Sequence, residues 1–290
     1  MLSLHTNAAA LSAQNSITRT QNSLSTSMTR LSTGFRINSA MDDAAGLQIA
    51  TRLKSQTSGM SVAMRNTQNS TSMLQTAEGA LDEVGNMLTR MKDLATQAAD
   101  ASSSAADKTA MQAEYDALGK ELSNVMTNTS FGGQKLLTGG TLATAVTFQI
   151  GASTSETMAL DLSANFGAVG TAGTIANVIN AASSVFSVPG TPGTELTAAA
   201  NATIDKLSTA IDNVASTRSS LGAAANRLDH VFNNLSNIST NTKNATGRIM
   251  DVDFASESAK MTSSQMLLQA GTAMLKQTNS QSSLVLSLLQ

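Results

Sequence analysis

The sequence predicts a mainly α-helical protein: a long antiparallel helical or coiled-coil bundle built by both chain ends, with a small β-hairpin region in the middle. Three observations predict it. Apolar residues recur at alternating three- and four-residue steps in both halves of the chain. Only two prolines, Pro189 and Pro192, interrupt 290 residues, and they lie together. Between the halves, roughly Thr138 to Thr197, charge nearly vanishes and Gly, Ala, Thr and Ser dominate.

In the amino-terminal zone the clearest stripe is Leu74, Ala77, Leu81, Val84, Leu88, Met91, Ala95 and Ala98. This is the spacing of a coiled-coil seam, on a helix expected from about Met60. Nearer the start, Ile17, Leu24, Met28, Leu31 and Phe35 keep the rhythm with Gln21 in the stripe, while Leu4 and Leu11 sit one position out of phase, as a local change of winding would place them. Ser39 followed by Asp42 reads as a capping-box-like helix start, with Asp42 and Asp43 supplying negative charge at the helix amino terminus. After the Ala/Ser-rich break at 101–106, Met111, Tyr115, Leu118, Leu122 and Val125 make a second stripe, so a helical hairpin is expected. It ends at the turn-forming run Asn128 to Gly133.

In the middle zone, Val146, Phe148 and Ile150 alternate with polar neighbours, as do Met158, Leu160 and Leu162 across a Gly-Ala-Ser-Thr-Ser break. That is a β-hairpin pattern. From Ala164 to Gly193 the pattern is weak, and a surface loop with a short helix near Ile175 to Phe186 is expected. Helix returns with Ile204, Leu207, Ile211, Val214, Leu221, Ala225, Leu228, Phe232 and Leu235, with Arg218 in the remaining stripe position. At the end, Leu267, Ala270, Met274, Leu284 and Leu288 hold a seven-residue phase, with Gln277 and Gln281 between them. The expected divisions are an inner helix over 1–45, a helical hairpin over 46–140, a variable β-hairpin and loops over 141–196, a core helix over 197–247 and a second inner helix over 248–290.

Composition excludes several functions. A net charge of −2 with 13% charged residues gives no basic face for nucleic acid. Ser, Thr, Asn and Gln take the polar positions that Glu and Lys fill beside a solvated coiled-coil seam, which suits a protein packing against copies of itself. Cysteine is absent, so there is no disulfide framework or thiolate chemistry. No run approaches the ~20 apolar residues of a membrane helix, so membrane insertion is not expected. The start, Met1 to Ser16, lacks the pattern of a secretory signal peptide. His5 and His230 are isolated, and no His-Glu-x-x-His motif accompanies them, so no metal or other cofactor is expected. Adjacent Asp42-Asp43 and Asp82-Glu83 point to different helix faces, and no nucleophile, base and orienting group assemble into an enzyme site. Gly132-Gly133 and Gly139-Gly140 lack phosphate-loop context and read as turns.

Several separated stretches carry a family resemblance. Ile37 to Leu47 (INSAMDDAAGL), Gln75 to Leu81 (QTAEGAL), Arg218 to Ala223 with Asn226 to Leu228, Arg248 to Phe254 (RIMDVDF), Gln269 to Thr272 and Leu286 to Gln290 resemble bacterial flagellins, in the family's order. The resemblance covers all but about Gly139 to Leu196. It implies a structural subunit that polymerises into the extracellular flagellar filament, with both termini paired as an inner coiled coil and a second helical layer carrying a small β-hairpin. The short middle implies a form without large outer domains. The coiled-coil and polymerisation residues expected on this reading are Ile17, Leu24, Met28, Leu31, Phe35, Leu267, Met274, Leu284, Leu288 and Leu289. Polar residues in the terminal stripes leave little apolar area to offset ordering costs of about 1–2 kcal/mol per residue, so both ends are expected to fold on assembly.

The resemblance also implies a flagellum-specific export apparatus and export chaperone, and filament-cap and hook-junction proteins, as partners. Leu88 to Gln97 resembles the patch recognised by Toll-like receptor 5, with Arg90, Leu94, Gln97 and Glu114 at the contacting positions. By residue chemistry alone, Leu94, lying off the seam, packs on a neighbouring helix or subunit, and the two roles are compatible. The alternatives are a hook-filament junction protein, which resembles flagellin at both ends, and a coiled-coil signalling rod, which would lack the hairpin and carry more charge.

Overall fold

The computed structural model describes residues 7–166, 173–186 and 192–288, with side chains to residue 281. In chain order the helices and strands are α1 (Ala8–Thr33), α2 (Ala44–Ala99), α3 (Ala105–Asn128), β1 (Ser130–Phe131), β2 (Gln134–Lys135), β3 (Val146–Gln149), β4 (Thr157–Leu160), α4 (Ser163–Phe166), α5 (Ile175–Ala182), α6 (Glu195–Ala198), α7 (Ala200–Met250) and α8 (Phe254–Leu288). Two compact units form, one from Met1–Thr57 with Thr240–Gln290 and one from Ser58–Ser239. Their boundaries fall within α2 and α7.

In the first unit α1 is capped at both ends. Asn7 accepts from the Ala10 N–H, and Gly34, at φ 76°, donates to the Arg30 carbonyl at 2.9 Å. The chain then bridges: Phe35 pairs antiparallel with Asp251, the Arg36 N–H donates to Met250 O at 2.6 Å, and the Val252 N–H donates to Gly34 O at 3.0 Å. The expected start signal is displaced. Asp42 closes its own turn by accepting from the Asn38 and Ser39 N–H groups, and those donors hold its carboxyl below the usual carboxylate range. Asp43 does the capping, accepting from the Gly46 N–H at 2.8 Å. Accordingly α2 starts at Ala44, well before Met60.

The second unit carries a large apolar core and a separate small cluster of Met60, Ala63 and Leu235. Every residue of the stripe from Leu74 to Ala98 is buried. A Ser104–Asp107 capping box starts α3, whose buried face runs through Met111, Tyr115, Leu122 and Met126, with Leu118 and Val125 half-buried beside it. Gly132 and Gly133, at φ 57° and 83°, turn a two-residue hairpin between β1 and β2. In the β3–β4 hairpin Phe148 opposes Met158, and both are buried. Ala152, beyond β3, seats against α2 at Gly59, where an added Cβ would lie 2.7 Å from the Ala152 Cβ.

The short helix expected near Ile175 to Phe186 forms as α5, and the described residues of the expected surface loop pack into the core. Phe166, Ile175, Ile179, Val185, Phe186 and Leu196 are all buried. A polar clasp fastens the segment to α3. The Leu196 N–H donates to Gln112 Oε1 at 2.7 Å, the Gly193 N–H to Asp116 Oδ2 at 3.0 Å, and the Tyr115 hydroxyl to Ala182 O at 2.7 Å. Gln112 Nε2 donates to both Asp116 and Glu195. Desolvation pushes the Glu195 carboxyl up, but donation from Ser184 and Gln112 outweighs it and holds it below its ordinary value.

The α7 stripe is also displaced by one position at every second step. The buried line is Thr203, Leu207, Ala210, Val214, Thr217, Leu221, Ala224, Leu228 and Leu235, so Ile204, Ile211, Ala225 and Phe232 flank the seam half-buried. Arg218 is not in the seam either. It lies beside it and pairs with α2 at Glu78 and Asp82.

Candidate assembly surface

The first unit presents an unusual surface. Among the described residues, nine of the eleven exposed large hydrophobic side chains belong to it: Leu11, Met28, Phe35, Met41, Ile49, Phe254, Met266, Leu267 and Met274. Met41, in the turn before α2, is 96% exposed. Apolar surface gathered this way marks an interaction face.

The pairing of α1 with α8 explains why these residues face out. Ser27 of α1 meets Glu257 of α8, and Ile17 meets Gly271, where an added Cβ would lie 2.9 Å from the Ile17 Cγ1, so the helices run antiparallel. The inward stripe of α1 is Ala13, Ile17, Thr20, Leu24, Ser27 and Leu31, and that of α8 is Glu257, Met261, Ser264, Leu268, Gly271, Leu275 and Thr278. Of the expected residues, Ile17, Leu24 and Leu31 are thus on the seam. Met28 and Gln21 are exposed, one position past Ser27 and Thr20. Phe35 lies beyond α1, exposed in the bridge to Asp251. No change of winding is needed for Leu11, since Ala10, Ala13 and Ile17 continue one stripe and Leu11 lies off it; Leu4 is outside the described residues.

On α8 the expected phase is one residue early. Leu267 and Met274 are 59% and 65% exposed, and Ala270, Gln277 and Gln281 are exposed too, whereas Leu268 and Leu275 turn towards α1. Leu284 and Leu288 lie on α8 beyond the described side chains, and Leu289 lies outside the described residues. The missed signal was the run Met266-Leu267-Leu268 followed by Met274-Leu275. Two adjacent apolar residues per heptad offer two phases, and Gly271 decides between them because only a glycine gap admits Ile17.

Neutral polar residues do not compromise this surface. Ser16, Thr18, Thr20, Ser23, Thr26, Thr29 and Thr33 each donate to the carbonyl four residues earlier, so their hydroxyls are already satisfied within α1.

The charge of the seam is concentrated in one layer. The Ser27 Oγ donates to Glu257 Oε1 at 2.6 Å, Arg30 stands 3.9 Å from the same oxygen, and Lys260 is 3.6 Å from Oε2. Glu257 is only 3% exposed. The Ser27 hydroxyl, with Lys260 and Arg30 behind it, holds its carboxyl below the ordinary glutamate value against desolvation.

A second group lies in the other unit. Arg90 donates from Nε and Nη2 to Glu114 Oε1, at 3.0 and 2.7 Å, and both side chains are about half exposed. Gln97 is exposed nearby in sequence. Leu94 is 2% exposed and belongs to the core of its own chain, where it offers no surface to a partner. His230 is exposed, His5 is outside the described residues, and no cluster of three His, Cys, Asp or Glu forms among those described. Nor is any described helix long and apolar enough to cross a membrane.

These features match known proteins. Residues 4–141 match the bacterial flagellin N-terminal helical region, and residues 204–289 the bacterial flagellin C-terminal helical region. The chain is 38% identical over 266 residues to a flagellin of Halalkalibacterium halodurans, covering 91% of this chain and 90% of that one. It is 32% identical over 379 aligned positions to flagellin A of Vibrio anguillarum, covering the whole of both. A solved chain assigned as a flagellar hook-associated protein of Vibrio parahaemolyticus shares the fold, with a TM-score of 0.57 and 18% identity over 72% of this chain and 100% of that one. With both helical regions matched and its relatives aligned from end to end, the chain belongs to the bacterial flagellin family.

Proposed function

We propose that the outward apolar face of α1 and α8 is where copies of this chain meet, and that both helices complete their folding as a subunit joins its neighbours. The chain is a structural subunit of the extracellular bacterial flagellar filament. The observation that carries the proposal is the gathering of nine exposed large apolar side chains on the unit made by the two chain ends. Burying each contributes about 1.5–3 kcal/mol, and contacts between copies that do not close on themselves build a helical polymer. Sparse burial within the pair supports folding on assembly, since Ser27 is the one buried residue described on α1 and Glu257 the one on α8. Hydrogen exchange on monomer and filament tests this. Slow exchange of α1 and α8 in the free monomer, equal to that in the filament, refutes folding on assembly. Removing residues 284–290, with Leu284, Leu288 and Leu289, abolishes filaments and leaves α3 folded; filaments of normal length from that truncation refute the assembly reading.

A second reading concerns Toll-like receptor 5. The exposed Arg90–Glu114 pair, with Gln97, supports a preformed polar contact patch, and Leu94 acts beneath it as a core residue. An R90A/Q97A monomer that signals through the receptor as strongly as the parent removes this reading. The flagellar export apparatus, its chaperone, and the cap and hook-junction proteins are the further partners proposed.

A further inference from the structure

On the self-assembly reading, α1 can meet the α1 and α8 of other copies as well as its own α8, and something must make it choose its own. Weak hydrophobic grip does not supply that choice, because alternate seam positions are Ala13, Thr20, Ser27, Ser264 and Gly271. Charge does. Among the described residues α1 holds two cations, Arg19 and Arg30, and no carboxylate. Conversely, α8 holds one carboxylate, Glu257, and two lysines, of which the exposed Lys260 lies one turn from Glu257 and stays with it in any pairing.

We propose that the Ser27–Glu257–Arg30 layer is the partner-selecting element of the terminal coiled coil, admitting an α1–α8 pair and rejecting α1–α1 and α8–α8 pairs. In an α8–α8 pair Glu257 loses both the Ser27 hydroxyl and the Arg30 guanidinium, and a parallel pair sets two carboxylates against each other. In an α1–α1 pair Arg30 finds no carboxylate at all. A buried carboxylate that loses its hydroxyl donor and keeps only the exposed Lys260 is costly, so a mismatched layer discriminates between partners. The packing agrees with the charge: Ile17 enters the gap at Gly271, and no second Gly271 fills that gap in an α8–α8 pair. Arg30 meets the layer through Nη1, 3.9 Å from Glu257 Oε1.

This inference rests on the self-assembly reading, and one experiment separates the two. The chain has no cysteine, so a single S264C substitution, nearly isosteric at a half-buried seam position of α8, reports which helix lies opposite. The parent S264C chain is polymerised and oxidised, and chain-to-chain disulfide dimers are read on a non-reducing gel. In the S264C parent, position 264 faces α1 and few dimers form; E257L in that background raises them several-fold. The exchange R30E/E257R keeps opposite charges on α1 and α8 across the layer and returns dimers to the parent level. Dimers at the parent level with E257L overturn the proposal. Where E257L loses helix content, the exchange variant decides: parent-level dimers support the proposal, and elevated dimers overturn it. Failure of the parent to form filaments by electron microscopy would instead strike at the self-assembly reading.

Discussion

Arg218 on α7 donates to Glu78 Oε1 on α2 from both Nε and Nη2, at 3.1 and 2.7 Å, while its Nη1 reaches Asp82 Oδ1 at 2.8 Å. One guanidinium thus spans two carboxylates a helical turn apart and fixes α7 axially against α2. All three side chains are more than a third exposed, so water screens the pair. R218A should therefore lower stability by only about 1 kcal/mol, read as a shift in urea midpoint. A loss of several kcal/mol would show that the contact is worth far more than a surface ion pair.

Tyr115 offers a sharper loss. Its ring is fully buried, and its hydroxyl closes onto Ala182 O, so burial pushes the phenol well above its usual range and it stays a donor at any working pH. Y115F removes that donor and should cost about 1–3 kcal/mol. The clasp segment should then exchange its amides faster than α2 does; unchanged exchange across 173–186 counts against the clasp.

Because Leu94 sits in its own chain's core, L94A should destabilise the second unit by about 2–5 kcal/mol, measured by denaturant melt. Any loss of receptor signalling in L94A would then accompany loosened structure. A melt equal to that of the parent would contradict its burial.

Acid should act on the first unit through Glu257. Its folded pKa lies below the ordinary value, so its contribution is complete above the usual glutamate range of about 4.3 and is lost as pH falls through the folded pKa. Asp42 is shifted in the same direction by the Ser39 and Asn38 N–H groups. Between pH 7 and 3 the α1–α8 pair should lose thermal stability, and E257Q should flatten the part of that decline owed to Glu257. An E257Q profile as steep as the parent's assigns the acid sensitivity elsewhere.

Helices, the central hairpin and the turn glycines were legible because period and composition agreed there. The α2 seam was read without error because Leu74, Leu81, Leu88 and Met91 outweigh any rival phase. On α1 and α7 the pattern misplaces the seam by one residue towards the bulkier neighbour, Met28 over Ser27 and Ile211 over Ala210; on α8 it falls between two leucines, Leu267 over Leu268, because adjacent apolar residues offer two phases. Hydrophobic pattern ranks residues by size, but helices that pack closely put small residues at the contact and use large ones as side walls. Only the partner helix reveals which of two adjacent positions is pinched. The core role of Phe166, Ile179 and Phe186 was hidden for another reason: its fastening is a polar clasp between residues about 80 apart in sequence, which no local pattern encodes.

The pinched α1–α8 seam has a mechanical consequence. Where Ala13, Thr20, Ser27, Ser264 and Gly271 line the contact and Ile17 seats at Gly271, few side-chain rotamers remain to absorb sliding, and displacement along the axis meets closely set backbone. A fibre of such subunits gains rigidity along its length from helices set this close. Enlarging one such position, as in A13V, would trade that stiffness for compliance before it cost the subunit its fold.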